Sequence, residues 1–367
     1  LTPVAVNTSG VLAGATVTTV SAGAFSTCGV ADGGAYCWGN NSGGRLGNNS
    51  ETLSLVPVAV YTAGVLAGTT VTDISVGGSH ACTVADGAAF CWGQNINGRL
   101  GNNSTTKSLV PVAVNTSGVL AGTTVTGISA GDTFSCAVAD GTAACWGRNT
   151  YGQLGDNSTT TSLTPVAVNT SGVLAGATVT SISAGEIHTC ALADGAAYCW
   201  GNNNYGQLGD NSTSQSLVPV AVNTSGALAG ATATDVSSGS GFTCIVADGQ
   251  AFCAGDNNSS KLGLELPVGV DASSALSGAD VTDISAGNYH TCAVADGAAY
   301  CWGQNSNGQL GNNTTTTSPI PVAVNAAGAL AGKTVTSISA GSSHTCALAD
   351  GEAFCWGSNG NGQLGNN

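Results

Sequence analysis

Basic residues are nearly missing from this chain. Lys and Arg together number 6 in 367 residues, against 20 Asp and Glu, and the formal net charge is −14. A surface so poor in cations repels phosphate backbones, which argues against nucleic-acid binding. Charge of either sign is scarce, at 7% of residues, so the high-charge, low-hydrophobicity signature of disorder is lacking. Methionine is absent altogether. No run of 18 apolar residues exists, because Gly, Ser and Thr interrupt every stretch, and nothing reads as a membrane span. No secretion leader is visible, since residue 1 already lies inside a repeat; one removed on export would leave this sequence. There is no G-x-S-x-G, no H-E-x-x-H and no phosphate loop. Catalytic, cofactor and metal residues are therefore none, and an enzyme is not expected.

What the chain has is repetition. Its 14 cysteines form seven pairs, each nine residues apart: Cys28 and Cys37, Cys82 and Cys91, Cys136 and Cys145, Cys190 and Cys199, Cys244 and Cys253, Cys292 and Cys301, Cys346 and Cys355. Successive pairs step by 54 residues, except for one step of 48 between the fifth and sixth. A period of this size means one supersecondary unit per repeat, stacked in a row or set in a ring.

Each pair brackets an Asp-Gly dipeptide, as in His188-Thr-Cys-Ala-Leu-Ala-Asp-Gly-Ala-Ala-Tyr-Cys-Trp-Gly201. Asp-Gly accepts positive φ at both turn positions, so it reads as a two-residue type I′ hairpin. That turn sets Ala193 opposite Ala196 and Cys190 opposite Cys199. The cysteines fall on a non-hydrogen-bonded rung, where Cα atoms lie about 4.5 Å apart, within disulfide reach. Zinc is disfavoured, because each unit offers two thiols rather than four ligands. Seven disulfides place the chain in an oxidising compartment, secreted or on a cell surface.

Four short strands are expected per unit, here named A to D from the inside out. In the fourth unit they are Val179–Ala184, His188–Ala193, Ala196–Trp200 and Val218–Asn223, with Pro219 at the start of the outer strand. Such units build a propeller or a solenoid. Residues 1–6 match strand D, while the C-terminus stops after strand C. The first strand is thus expected to complete the last unit, making residues 1–367 one closed ring. The fifth unit lacks six residues before Pro267.

His188-Thr189-Cys190, Asp194-Gly195, Tyr198-Cys199-Trp200-Gly201 and Gly206-Gln207-Leu208-Gly209 together resemble the repeat of the regulator of chromosome condensation family. The resemblance covers essentially the whole chain and implies an all-β, seven-bladed β-propeller with four antiparallel strands per blade. For function it implies less, because members range from a GTPase exchange factor to a chromatin binder, an ultraviolet receptor and a β-lactamase inhibitor, and a shared scaffold does not assign a function. The acidic surface departs from the chromatin-binding members. The turns before the His position carry no Trp, unlike those of the ultraviolet receptor.

The six tryptophans, Trp38, Trp92, Trp146, Trp200, Trp302 and Trp356, recur after the second cysteine and are expected to pack between blades; the fifth unit has Ala254 there. His80, His188, His290 and His344 share one position that Phe134 and Phe242 fill elsewhere, so packing rather than metal binding or catalysis is expected of it. The Gly360–Gly365 stretch fits G-x-G-x-x-G but lacks the strand–turn–helix context, so its glycines are read as turn glycines. The hairpin aspartates, Asp32 to Asp350, are explained by turn chemistry, with weak calcium binding as the sharper alternative.

The A–B turns and C–D loops should share one face, and the hairpins and D–A connections the other. The hairpin face repeats Ala-Asp-Gly seven times; the A–B turns vary between units. Recognition is therefore expected from Phe25, Asp132, Glu186, Ile187, Asn288 and Tyr289 in the turns, with Tyr151 and Tyr205 in the C–D loops. The expected function is an extracellular, non-enzymatic binding propeller whose partner is a protein or a surface glycan. The alternatives are a structural or adhesive module of a larger surface protein and, more remotely, a GTPase exchange factor-like regulator, with which the disulfides disagree.

Overall fold

A computed structural model describes residues 1–225, 228–263 and 275–367. The strands form seven sheets in a ring. Blade 4 is representative: Val179–Ala184, His188–Ala193, Ala196–Gly201 and Ser216–Ala221 run A to D, each antiparallel to the next. Strands A and B match the expected bounds. Strand C runs one residue further. Strand D starts and ends two residues earlier than expected, and Pro219 is its fourth residue rather than its start. The outer position makes this tolerable. Strand D pairs on one side only, and its ladder is broken by an irregularity between Cys199 and Gly201, so the missing N–H leaves no gap in a central sheet. The Ser216 hydroxyl donates to the Val218 carbonyl at 2.6 Å and fixes the entry into the strand.

Six blades have four strands. In blade 5 the described residues form three, Ala233–Ser238, Phe242–Ala247 and Gln250–Gly255. The expected fourth strand at Pro267 and the six-residue shortening lie outside the described residues.

The hairpin register is as the turn dictates. Ala193 pairs with Ala196 and Cys190 with Cys199. Asp194 has φ of 49° and Gly195 of 76°, the left-handed pair that a type I′ turn requires. All seven hairpins are bridged by disulfides, with Cα atoms 4.0–4.1 Å apart. Each hairpin aspartate has a further use. Asp32 Oδ1, for example, accepts the backbone N–H of Thr16 at 3.2 Å, and Asp194 Oδ1 that of Thr178 at 3.3 Å, tying the hairpin to the adjoining D–A connection.

Closure is visible at three radii. On the outside, Val4–Ala5 pairs with Glu352–Gly357, setting Val4 opposite Cys355. Leu1 lies over Gly308 just as Leu109 lies over Gly44 and Leu163 over Gly98. On the inside, seven strand-A serines accept the N–H of the next blade's strand A; the sequence of contacts from Ser21 to Val76 around to Ser339 and Ala22 is unbroken, at 2.9–3.0 Å. Between these radii lie the hydrophobic clusters, each built from two neighbouring blades. Cys28, Leu46 and Val60 of blade 1 pack with Ile74 and Trp92 of blade 2. The core is thus a chain of inter-blade seams rather than one central mass.

Candidate functional site

The seams determine how rigidly the loop face is held. The C–D loop of one blade lies over the next blade, and its backbone carbonyl serves as a junction. Gln153 O accepts the Trp200 indole at 3.0 Å and the Thr189 hydroxyl at 2.8 Å. The same geometry recurs at Arg99, Lys261, Gln309 and Gln363. All six tryptophans are buried to within 1% of full burial, so the inter-blade role expected of them is what the structure places there. The loop is also stapled from within. Asn203 donates to Asp210 Oδ1 and the Ser212 carbonyl at 3.1 Å, while its own oxygen accepts the Leu208 N–H at 3.0 Å.

The four histidines belong to the same seams. His188 Nε2 lies 2.8 Å from Thr243 Oγ1 of the next blade. That hydroxyl donates to Gln207 O, so the histidine must be the donor and carries its proton on Nε2. The Nδ1 atoms have no partner among the described residues, as expected of neutral rings. Burial drives His188 and His344 down to about 4. Burial, with His344 nearby, drives His290 to about 3. Burial and then Arg99 and Arg45 hold His80 well below its ordinary range.

The A–B turns and C–D loops do share one face. Arg45 of a C–D loop donates to the Gly78 carbonyl of the next A–B turn at 3.3 Å, and Arg99 to the Asp132 carbonyl at 3.1 Å. Lys261 does the same for the Asn288 carbonyl at 3.4 Å, donates also to the Ser240 carbonyl of its own blade's turn at 2.8 Å, and ion-pairs with Asp256 at 2.9 Å. Three of the six basic residues therefore act as struts at one repeat position. The A–B turns also rim the mouth of a central channel, a cavity of about 300 Å³ lined by strand-A serines and the turn glycines.

Of the expected recognition residues, Asp132, Glu186, Asn288 and Tyr289 line this mouth, and Tyr205 lines the seam between blades 4 and 5. Phe25, Tyr289 and Tyr205 are 49%, 45% and 54% exposed. The Arg45 guanidinium sits 5.8 Å from the Phe25 ring centre. Ile187 and Tyr151 are half-buried. Asn288 is half-buried too, and its amide donates to the Ser342 hydroxyl at 3.2 Å. Glu186 is exposed and accepts the Ser240 hydroxyl. Desolvation and the Glu186 carboxylate push Asp132 above the ordinary range, against the pull of Arg99 and Arg148.

Two features were not anticipated. Ile96, at a C–D loop tip, is 69% exposed and belongs with the aromatics of this face. Its signal was an aliphatic at a position where the other loops carry Ser, Thr, Asn or Gly. The second feature lies on the inner strands, where the third residue of strand A is Asp73, Asp235 and Asp283 in three blades. Each carboxylate accepts the N–H of the next blade's isoleucine: Ile128 at 3.1 Å, Ile284 at 3.0 Å and Ile338 at 2.7 Å. Burial raises all three, and the Asp235 and Asp283 carboxyls hydrogen-bond each other, with Asp235 pushed up to about 7. One proton shared by that pair fits both shifts.

The sequence matches the family described as the regulator of chromosome condensation (RCC1) repeat over residues 32–84, 86–138, 140–192, 194–246 and 296–348. The chain belongs to the RCC1 repeat family. It is 31% identical to the ultraviolet-B receptor UVR8 of Arabidopsis thaliana over 259 residues, covering 69% of this chain and 56% of that protein. It is 34% identical to the E3 ubiquitin-protein ligase HERC2 of Homo sapiens over 202 residues, 54% of this chain but 4% of HERC2. The chain therefore spans well under two thirds of these RCC1-family relatives. In three dimensions it is similar to Prp20p of Saccharomyces cerevisiae, with a TM-score of 0.74 over 95% of this chain and 84% of the other, at 17% identity; that likeness concerns the fold. Among the described residues, no helix is long and apolar enough to cross a membrane.

Proposed function

We propose that this RCC1-type propeller is a non-enzymatic binding module working outside the reducing cytosol, and that its partner is a protein seated on the A–B and C–D loop face. The observation that carries the reading is the distribution of large exposed side chains. Phe25, Ile96, Tyr205 and Tyr289 stand at positions that differ from blade to blade, on loops braced by inter-blade hydrogen bonds. Aromatic and aliphatic anchors on a preorganised platform lose little entropy on binding, which is how protein interfaces concentrate their energy. The opposite face also exposes apolar side chains, among them Val11, Val65, Val119 and Val173, but these repeat at one position. Prp20p is described by its binding to Gsp1p and histones, so a propeller of this fold can serve protein recognition. The seven disulfides support an oxidising, extracellular setting. The test is a paired screen of the oxidised protein, with affinity capture from the extracellular and surface fraction on one arm and a glycan array on the other. A captured protein with a blank array supports the reading; a glycan signal with no captured protein overturns the partner class.

A further inference from the structure

Six blades fill the seam ahead of them with an indole, and blade 5 does not. Ala254 replaces the tryptophan, and a cavity of about 540 Å³ lies between blades 4 and 5 at that place. The volume is that of a small-molecule site. The bed for an indole is nevertheless intact. In five seams the C–D loop glycine is pressed against the ring: a Cβ on Gly155 would come within 2.6 Å of Trp200 Nε1, and one on Gly47 within 2.7 Å of Trp92 Nε1. Gly209 keeps the same left-handed conformation, φ 64°, but the nearest side-chain atoms to its Cβ position are Val222 at 3.1 Å and Ala254 at 3.8 Å.

The hydrogen-bond acceptor is intact as well. Gln207 O accepts the Thr243 hydroxyl at 2.8 Å, as Gln153 O accepts that of Thr189. Gln153 O takes a second donor, the Trp200 indole. Among the described residues Gln207 O has no second donor, and Gln207, itself fully buried, borders the cavity. The floor is apolar, with Val222, Ile245, Phe252 and the Cys244–Cys253 disulfide, while Asn223, Ser225 and Thr243 add polar groups to the wall. Cys253 is 6% exposed where every other second cysteine is fully buried, so the gap reaches the disulfide. Tyr205, 54% exposed, stands at the rim beside polar loop residues such as Asn211 and Thr213.

We propose that this gap is a binding site for an indole ring: a planar bicyclic aromatic with one N–H donor, seated over Gly209, donating to Gln207 O, and carrying its polar substituent out past Tyr205. The chain supplies the template for this itself, six times over. An apolar floor takes up an aromatic ring readily, and the Gln207 carbonyl, whose counterparts in the equivalent seams serve a second donor, sets the preference for an N–H. The site shares Tyr205 with the loop face proposed above, but its floor at Gly209 and Ala254 lies in the seam between blades 4 and 5, and its test does not require the partner of that face.

The test is calorimetric titration of the oxidised full chain with indole, 1-methylindole and N-acetyl-tryptophanamide. Indole should bind saturably at one site per chain. Methylation of the nitrogen should weaken binding by about tenfold, the value of one lost hydrogen bond. Ala254→Trp should abolish binding by filling the gap, and Ala254→Leu, a smaller plug, should weaken it several-fold, with native circular dichroism in each case. Tighter binding of the amide than of indole identifies the source as a tryptophan side chain of a polypeptide; tighter binding of indole identifies a free small molecule. No saturable indole binding, equal binding of 1-methylindole, or undiminished binding by either folded Ala254 variant overturns the proposal.

Discussion

Replacing Trp92 by Ala should cost more than the same change at Trp146, although both rings are fully buried. A buried tryptophan removes about 150–250 Å² from water, worth about 4–6 kcal/mol at 25 cal/mol/Å² as an upper bound, and measured truncations of large aromatics cost about 3–5 kcal/mol. The difference between the two sites lies in the acceptor. Arg99 O also takes the Ser135 hydroxyl at 2.9 Å, so it keeps a partner when Trp146 is lost. Arg45 O has the Trp92 indole as its one donor among the described residues, because blade 2 carries Ala81 where blade 3 carries Ser135. An orphaned buried carbonyl adds about 1–3 kcal/mol. Trp146→Ala should therefore destabilise by about 4 kcal/mol, and Trp92→Ala by about 5 kcal/mol or more. With an unfolding entropy of about 2 cal/mol/K per residue, 5 kcal/mol lowers Tm by about 6–7 °C for a chain this long. Non-reducing scanning calorimetry, cross-checked by urea unfolding, measures both variants. A Trp92→Ala shift of less than about 1 °C, or one smaller than that of Trp146→Ala, refutes the account of the seams.

Removing residues 1–6 should lower stability sharply, since it uncovers Cys355 and Phe354 on the outer edge and takes Val6, 3% exposed, from the cluster with Trp38 and Leu348; an unchanged melting curve would show that the ring is held without this strand. A thiol assay on denatured, unreduced protein should read near zero, and several free thiols per chain would contradict the seven bridges, each worth about 2–3 kcal/mol in the chain-entropy model. The buried histidines have folded pKa values below the unfolded value, so their contribution is complete above about pH 6.5 and is lost as pH falls toward 4, at about 1.4 kcal/mol per unit for each ring. Asp235 works in the opposite sense: its raised value favours the folded state at low pH, and that gain is lost as pH rises from about 4 to 7. Asp73, Asp132 and Asp283 are raised in the same sense as Asp235, so the decisive readout is a difference: relative to the parent, His188→Phe, which borrows the residue of blades 3 and 5, should gain melting temperature as pH falls from 6.5 to 5; an unaltered pH profile would show that the ring does not titrate on unfolding.

Much of the fold was legible because its signals are local. The Asp-Gly turn fixes the register of Cys190 with Cys199 from two residues, and the match of residues 1–6 to strand D disclosed the closing strand. Strand D lies two residues earlier than a boundary at Pro219 predicts, because an edge strand with an irregular ladder admits proline inside it. The seams were less legible. The His188–Thr243 and Asp73–Ile128 contacts join residues 55 apart in sequence, and a repeat pattern shows that a position is special without showing what it meets in the next copy. Ala254 was visible as an exception in the sequence. That it leaves an open, apolar cavity with an available acceptor follows only once the neighbouring Gly209 and Gln207 are seen in place. The variable turn residues are now located, and they stand on one face, but Asn288 and Ile187 are half-buried and contribute less surface than Phe25, Tyr205 and Tyr289.

The claim that the A–B and C–D loop face recognises a partner is tested most directly by two triple variants titrated side by side against the captured partner. Phe25→Ala, Ile187→Ala and Tyr289→Ala together strip anchors from that face. Asp32→Asn, Asp194→Asn and Asp296→Asn together alter the hairpin face while keeping a residue that suits the left-handed turn and a side-chain oxygen for the Thr16, Thr178 and Asp280 amides. The account predicts that the first variant, folded and fully disulfide-bonded, loses at least tenfold in affinity, about 1.4 kcal/mol or more, and that the second binds like the parent chain. Retained affinity in the first together with loss in the second would contradict it.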